Sequence, residues 1–263
     1  MRLDVNTLGT LSYGSDEAPP GRPDLCLDWT QSHLFRRTEM RIRVAQWLLM
    51  AFVFVVAPLR AEDKSPSAKW EKDIQAFEAA DKKNAPPPGA VLFVGASGIK
   101  LWTSLEKDFP NQRVINRGFG GSQIADATYF ADRIVVPYKP KLIVLQSGGN
   151  DINAGKTPEQ VADDYKAFVV KVRAALPETR IAFFSMQPSP ARWSQIEKQK
   201  RGNQLIKEQI AAGKNMVYIN AWDAFIGPDG MPRGELFVAD KLHHNADGYK
   251  VRAELMRAYL DEK

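Results

Sequence analysis

Short apolar runs recur along the chain from residue 91 onward, and amphipathic stretches separate them. Runs such as LIVLQ and IAFFSM are apolar at almost every position, which is typical of strands buried on both faces of a parallel sheet. Five such runs predict strands: Val91–Gly95, Val114–Asn116, Leu142–Gln146, Arg180–Met186 and Met216–Asn220.

Stretches with helical periodicity alternate with these strands. Ser67 is the expected N-cap of the first, and the second opens with Thr-Pro-Glu, an N-cap followed by proline. The alternation predicts a single α/β domain with a parallel sheet, whose active site lies at the carboxyl ends of the strands. The predicted helices are Ser67–Lys83, Thr157–Leu176, Arg192–Ala212 and Asn245–Leu260.

The N-terminal part of the chain has a different pattern. Residues 44–59 are mostly apolar, Arg41 and Arg43 precede them, and Ala61 follows. A membrane span needs about 20 apolar residues, so this run favours a secretory signal peptide over residues 40–61. Residues 1–39 are then an upstream extension or disordered tail, and 62–263 the mature domain. This predicts a periplasmic or extracellular protein without stable membrane association; a signal anchor is the alternative.

Composition narrows the chemistry. The net charge is +5, and the 36 basic residues are spread along the chain, which disfavours nucleic-acid binding. Cys26 is the only cysteine, which excludes an intrachain disulfide and a cysteine-based zinc site. His243 and His244 lack the further ligands that a metal site needs, so we predict no metal.

The residues that follow the strands could support nucleophilic catalysis. Ser97 follows the first strand, Gly121 lies in a glycine-rich loop after the second, and Asn150 follows the third. Asp240 and His243 precede the last helix. A serine needs a base, the base needs a carboxylate, and loop N–H groups with an amide can form an oxyanion hole. Each of these residues, taken alone, could simply be a turn or helix-cap residue. Turns alone do not explain why all of them occur together at the carboxyl ends of the predicted strands.

Four motifs resemble those of the SGNH hydrolases, also called the GDSL esterase/lipase family, from Val91 to the C-terminus. They are FVGASGI, NRGFGGSQ, GGND and DKLHHN. The spacing in the second is similar to that of the platelet-activating-factor acetylhydrolase branch. The family's usual Gly-Asp-Ser is Gly95-Ala96-Ser97 here. The resemblance implies a three-layer flavodoxin-like sandwich with five parallel strands.

The resemblance also implies residue roles: Ser97 as nucleophile, His243 as base and Asp240 as its partner. Ser97, Gly121 and Asn150 would form the oxyanion hole. The expected activity is a serine esterase without a cofactor, and short loops favour short acyl groups. O-acetyl groups on carbohydrates are a plausible substrate for an exported esterase.

Two other functions stay open at this stage. GASGI is similar to the glycine-rich turn of nucleotide-binding oxidoreductases, although Lys100 stands where a further glycine would help. A non-catalytic carbohydrate-binding protein is the other alternative, with Trp102, Trp193 or Trp222 stacking on sugars. The loop Gln187–Trp193, after the fourth strand, could line the acceptor side of the active site. Arg192 could contribute to that lining or could lie on the surface of the following helix.

Overall fold

The computed structural model describes residues 65–260. The predictions for residues 1–39 and for the signal peptide at 40–61 lie outside this range. Within residues 65–260, no helix is long and apolar enough to span a membrane.

Five parallel strands form the central sheet in the order β2-β1-β3-β4-β5. The chain runs outward from β1 to β2 and then crosses back to β3, so the direction of winding reverses between β1 and β3. Ligands of such sheets bind outside the carboxyl ends of the strands at this reversal point. The strands are β1 Val91–Gly95, β2 Val114–Gly118, β3 Leu142–Gln146, β4 Arg180–Phe184 and β5 Met216–Ile219.

The fold prediction is confirmed, and three strand ends differ from those expected. β2 continues to Gly118 instead of ending at Asn116, and β5 ends at Ile219. β4 ends at Phe184, because the backbone of Met186 hydrogen-bonds with the Asn203 side chain at 2.9 Å instead of with a neighbouring strand.

Helices cover both faces of the sheet. Alternate residues of β1 enter different cores: Leu92 and Val94 pack on one face, and Val91 and Phe93 on the other. This two-sided burial is the reason for the continuous apolar runs. The α-helices are α1 Glu71–Lys83, α2 Ser97–Lys100, α3 Leu105–Asp108, α4 Ile124–Tyr129, α5 Ala131–Ile134, α6 Gly149–Asn153, α7 Pro158–Ala175, α8 Ile196–Ala211 and α9 Ala246–Leu260.

The first predicted helix begins differently from expectation. It opens as a 3₁₀ turn, Pro66–Trp70, and Ser65 is the N-cap because its hydroxyl accepts from the N–H of Ser67 at 3.3 Å. Ser67 was the wrong choice of cap: its hydroxyl donates to Asp126 at 2.6 Å instead. This bond joins the N-terminal segment to α4.

The other predicted helices need smaller corrections. Thr157 is the N-cap of α7, as predicted, and the structure adds a reciprocal capping box with Gln160. The stretch predicted as one helix from Arg192 is a 3₁₀ turn over Pro190–Gln195 followed by α8. Arg192 lies within this turn, has a non-helical φ of −119° and is not part of α8.

Candidate active site

A tight turn after β1 positions Ser97. Gly95 has a φ of 149°, which side chains rarely adopt, and a Cβ there would lie 2.0 Å from the carbonyl oxygen of Gln146. Ala96 donates its N–H to that carbonyl at 3.2 Å, and its own carbonyl accepts from the first turn of α2. The turn therefore forms with alanine in place of the family's aspartate, and it places Ser97 at the start of α2.

Ser97, His243 and Asp240 form a continuous hydrogen-bonded chain. His243 Nε2 lies 3.0 Å from Ser97 Oγ, and His243 Nδ1 lies 2.6 Å from Asp240 Oδ2. The other oxygen of Asp240 accepts from the N–H groups of Leu242 and His243, each at 2.9 Å. This is the order of contacts found in a serine hydrolase triad.

The surroundings of Asp240 keep it ionised. The hydrogen bond from the His243 side chain, followed by the two backbone N–H groups, holds the pKa of this carboxyl well below its usual range. An ionised carboxylate accepts from Nδ1–H, and Nε2 is then free to accept a proton from Ser97.

His244 occupies a different environment from its neighbour. Its ring packs against Phe225, Phe237 and Tyr249, with centroid separations of 4.8, 4.9 and 5.8 Å. Burial, followed by the charges of Arg252 and His243, lowers its pKa well below the ordinary value. The Ser97 hydroxyl forms its hydrogen bond with His243, not with His244.

The Gly121 loop and Asn150 lie beside each other. Asn150 Nδ2 donates to the carbonyl of Ser122 at 3.0 Å, which ties the loop after β2 to α6. Gly121 has a φ of 81°, and a Cβ on it would lie 3.2 Å from the indole of Trp70. Ser97, His243 and Asn150 line one cleft; Gly121 lies on the adjoining loop and is not among the lining residues.

A buried carboxylate supports this side of the site. Asp151 has no exposed side-chain surface, and its oxygens accept from the N–H of Ile124 at 3.3 Å and from Lys156 Nζ at 2.9 Å. Burial raises the pKa of Asp151, while Lys156 opposes this shift. Asp151 thus fixes the start of α4 relative to α6. It is the last residue of the GGND motif, but this supporting role was not predicted from the sequence.

The cleft is small, about 80 Å³, and several of its residues were not anticipated from sequence. Arg192 lines the cleft, which agrees with the first of the two positions expected for it and not with a helix surface. Trp102 is only 1% exposed and packs against Phe93 and Phe109, so it belongs to the core and is not a sugar-stacking surface. The unanticipated lining residues include Gln146, Ser147, Gln199 and Arg252.

No group of three or more His, Cys, Asp or Glu side chains that could hold a metal ion lies within residues 65–260. The site consists of groups that act by proton transfer and hydrogen bonding.

A family model described as the GDSL-like lipase/acylhydrolase family matches residues 94–251. The match begins within β1 and ends within α9, so it includes every predicted site residue. The chain belongs to this family. Acylhydrolases are hydrolases that act on esters, so this family assignment favours an ester hydrolase over the oxidoreductase and carbohydrate-binding interpretations.

Sequence relatives of this GDSL family member include platelet-activating factor acetylhydrolase IB subunit alpha1. The protein from Bos taurus is 27% identical over 202 residues, which cover 73% of this chain and 82% of the relative. The protein from Homo sapiens is 26% identical, covering 73% and 83%. The resemblance seen in the second motif is therefore present along most of the chain.

Solved structures show the same fold at lower sequence identity. A structure described as a platelet activating factor from Streptococcus pneumonia has a TM-score of 0.65 at 23% identity, covering 73% of this chain and 93% of that chain. An acetylxylan esterase, Axe2 from Geobacillus stearothermophilus, has a TM-score of 0.54 at 14% identity, covering 67% and 96%. These likenesses support the SGNH-type α/β fold.

Proposed function

We propose that the protein is a serine esterase that hydrolyses short-chain carboxylic esters through an acyl-enzyme on Ser97. The observation that carries this proposal is the hydrogen-bonded chain from Ser97 Oγ through His243 to Asp240. The position of Asn150 beside the same cleft adds a donor for the oxyanion.

The first half of the reaction forms the acyl-enzyme. Ser97 Oγ attacks the ester carbonyl carbon while His243 Nε2 accepts the hydroxyl proton. The N–H groups of Ser97 and Gly121 and the amide of Asn150 stabilise the tetrahedral oxyanion. Asn150 uses one N–H on Ser122 and has a second to offer. As the bond between carbon and leaving oxygen breaks, His243 returns the proton to the alcohol.

The second half releases the acid. A water molecule gives a proton to His243 Nε2 and attacks the acyl carbon of the ester formed on Ser97. The resulting tetrahedral intermediate collapses, Ser97 Oγ leaves with the proton from His243, and the carboxylic acid departs. Asp240 holds Nδ1–H in both halves and stabilises the imidazolium each time it forms.

The cleft and the relatives favour an acetyl group on a carbohydrate as the substrate. A cavity of about 80 Å³ accommodates a short acyl chain better than a long one. The names of the relatives include an acetylhydrolase and an acetyl-xylooligosaccharide esterase, both of which refer to acetyl esters. An exported enzyme meets acylated polysaccharides, which agrees with the predicted signal peptide.

A chain-length series tests this function. We expect kcat/KM to be highest for 4-nitrophenyl acetate and to fall as the acyl chain lengthens, and acetylated xylo-oligosaccharides to release acetate. Ser97→Ala should lower kcat by about 10⁴-fold or more. Ser194→Ala, at an exposed position in the turn before α8, should leave kcat unchanged. No turnover of any ester by the folded wild type, or undiminished turnover by Ser97→Ala, would contradict the proposal.

Export is tested separately. The chain expressed from Met1 and from Met40 in a secreting bacterium should yield the same exported product, beginning close to residue 62. A product that keeps residues 40–61, or one held in the membrane, would favour the signal-anchor alternative.

A further inference from the structure

Positive charge predominates among the residues that line the cleft beside Ser97. Two arginines, Arg192 and Arg252, line it, and no described aspartate or glutamate does. Neither arginine forms an ion pair with a carboxylate in the part of the chain that the structure describes. Buried and half-buried cations are normally paired, so this arrangement calls for a partner that the folded chain does not supply.

Arg192 lies next to the proposed oxyanion hole. Its side chain is half-buried, and Nη2 donates to Asn150 Oδ1 at 2.9 Å. Nη1 lies over Gly149, since a Cβ on that glycine would be 3.3 Å from it. A guanidinium carries five N–H donors in a planar fork, and the bond to Asn150 uses only one of them. The remaining donors give the cleft a cationic group with hydrogen-bonding capacity.

Arg252 lies beneath the first turn of α2 and is 1% exposed. A Cβ on Gly98, the residue after Ser97, would be 2.9 Å from Arg252 Nη1. The guanidinium lies 5.0 Å from the ring centroids of Trp102 and Phe184, and these aromatic faces partly offset its charge. Nε and Nη1 have no hydrogen-bond partner among residues 65–260.

The only polar contact of the Arg252 guanidinium seen in the described residues is long. Nη2 lies 3.5 Å from Gln146 Oε1, at the limit of a hydrogen bond. Arg252 therefore adds a positive potential at the floor of the cleft, which the aromatic faces offset in part and no carboxylate within residues 65–260 neutralises by an ion pair. Low-dielectric walls strengthen such a field inside a cleft.

We propose that this cleft recognises a carboxylate on the ester substrate, bound by Arg192 within the positive potential that Arg252 provides. This inference rests on the proposed esterase function and names its substrate class, which is an ester that also carries a free carboxylate. The planar guanidinium of Arg192 suits a carboxylate because two parallel N–H donors match its two oxygens. The carboxylate could belong to the alcohol, as in an acetylated acidic sugar, or to the acyl group, as in a dicarboxylic hemiester.

Matched pairs of esters distinguish these two sources. One arm compares 3-acetoxybenzoic acid with 3-acetoxybenzamide, which changes the charge on the alcohol side only. The other arm compares phenyl hydrogen glutarate with phenyl pentanoate, which changes it on the acyl side. In one arm, we expect the wild-type kcat/KM to be about tenfold or more higher for the ester with the carboxylate than for its neutral partner. A hydrogen bond to a charged group contributes a free energy of this size. That arm identifies the source.

Substitutions at Arg192 connect the preference to its guanidinium. Arg192→Gln should reduce the carboxylate-to-neutral ratio to near one, and Arg192→Lys should keep part of it, because lysine retains the charge but not the planar fork. The ratio is the readout, since loss of the bond to Asn150 lowers turnover of both esters. Arg201→Gln removes an exposed arginine of α8 that pairs with Glu159 at 3.6 Å, and it should leave the ratio unchanged.

The failures of the inference and of the esterase proposal are distinguishable. Equal kcat/KM for both members of each pair, or a ratio that persists in Arg192→Gln, would overturn the inference while leaving the esterase intact. If no ester is hydrolysed, calorimetric binding of 3-hydroxybenzoate and of glutarate, the carboxylate-bearing products of the two arms, still tests the site. Binding of either one that weakens about tenfold or more in Arg192→Gln would support the inference, and absence of binding of both, or equal binding by both proteins, would overturn it.

Discussion

The Asp151–Lys156 pair allows a quantitative test of how the oxyanion side of the site is held. Lys156→Met removes the cation and leaves a fully buried carboxylate for which, among the described residues, the N–H of Ile124 is the remaining donor. Breaking a buried ion pair costs about 3–5 kcal/mol. Since 25% of the Lys156 side chain is exposed, screening reduces the expected loss to about 2 kcal/mol. For a domain of this size that corresponds to a fall in Tm of about 4–8 °C.

The loss should depend on pH in a defined direction. Burial raises the pKa of Asp151, and removing Lys156 raises it further. A carboxyl whose folded-state pKa is raised contributes stability below the unfolded-state pKa of about 3.9, and this is lost as pH rises through the folded-state pKa. Lys156→Met should therefore be closer to the wild type at about pH 5 than at about pH 8.

Urea denaturation of wild type and variant at these two pH values measures the effect as a difference in the free energy of unfolding. Lys171→Met is the matched control. Its partner Asp132 lies 2.6 Å away, but the two side chains are 38% and 63% exposed, so the expected change is below about 1 kcal/mol. The prediction would be refuted if Lys156→Met were as stable as the wild type at the higher pH, or if it lost the same free energy of unfolding at both pH values.

Three further predictions concern single residues. Asn150→Ala should lower kcat by about 10²–10³-fold, because the backbone donors of the oxyanion hole remain; an unchanged kcat would remove Asn150 from the mechanism. Asp240→Asn should leave the thermal midpoint near that of the wild type and lower kcat by up to about 10⁴-fold, because the amide favours the wrong tautomer of His243. A wild-type kcat for this variant in steady-state kinetics would contradict the prediction. His244 has a lowered pKa, so its contribution to stability is present above the unfolded-state value of about 6.5 and is lost as pH falls toward the folded-state value. His244→Phe should lose less stability than the wild type between about pH 7 and pH 5 in urea denaturation, and identical pH dependence would be contrary to expectation.

The sheet could be predicted because burial on both faces leaves a strong pattern in the sequence. Strands such as Leu142–Gln146 have few polar positions, and their helices bury both faces. The loops that carry the site residues could be predicted for a related reason, because the carboxyl ends of parallel strands all lie at the same edge of the sheet. Ser97 and His243 are far apart in sequence, and the sheet brings Oγ and Nε2 to 3.0 Å.

Features that depend on contacts between distant residues could not be predicted. Ser67 has the chemistry of an N-cap, but Asp126 accepts from its hydroxyl, and Ser65 takes the cap position. Arg252 has the pattern of a solvated helix residue, because arginine is rarely buried and nothing nearby in sequence indicates the aromatic rings that enclose it. Local patterns do not encode which side chains from other elements will surround a residue.

The central claim is that Ser97 forms the covalent intermediate with His243 as its base, and stoichiometric labelling with an organophosphonate tests it most directly. Mass spectrometry of the digested protein should find the phosphonyl group on Ser97 alone. Labelling should be strongly slowed in His243→Ala and retained in His244→Ala, because His243, and not its neighbour His244, contacts the Ser97 hydroxyl. A label on Ser122, Ser147 or Ser189, or loss of labelling in His244→Ala but not in His243→Ala, would contradict the account.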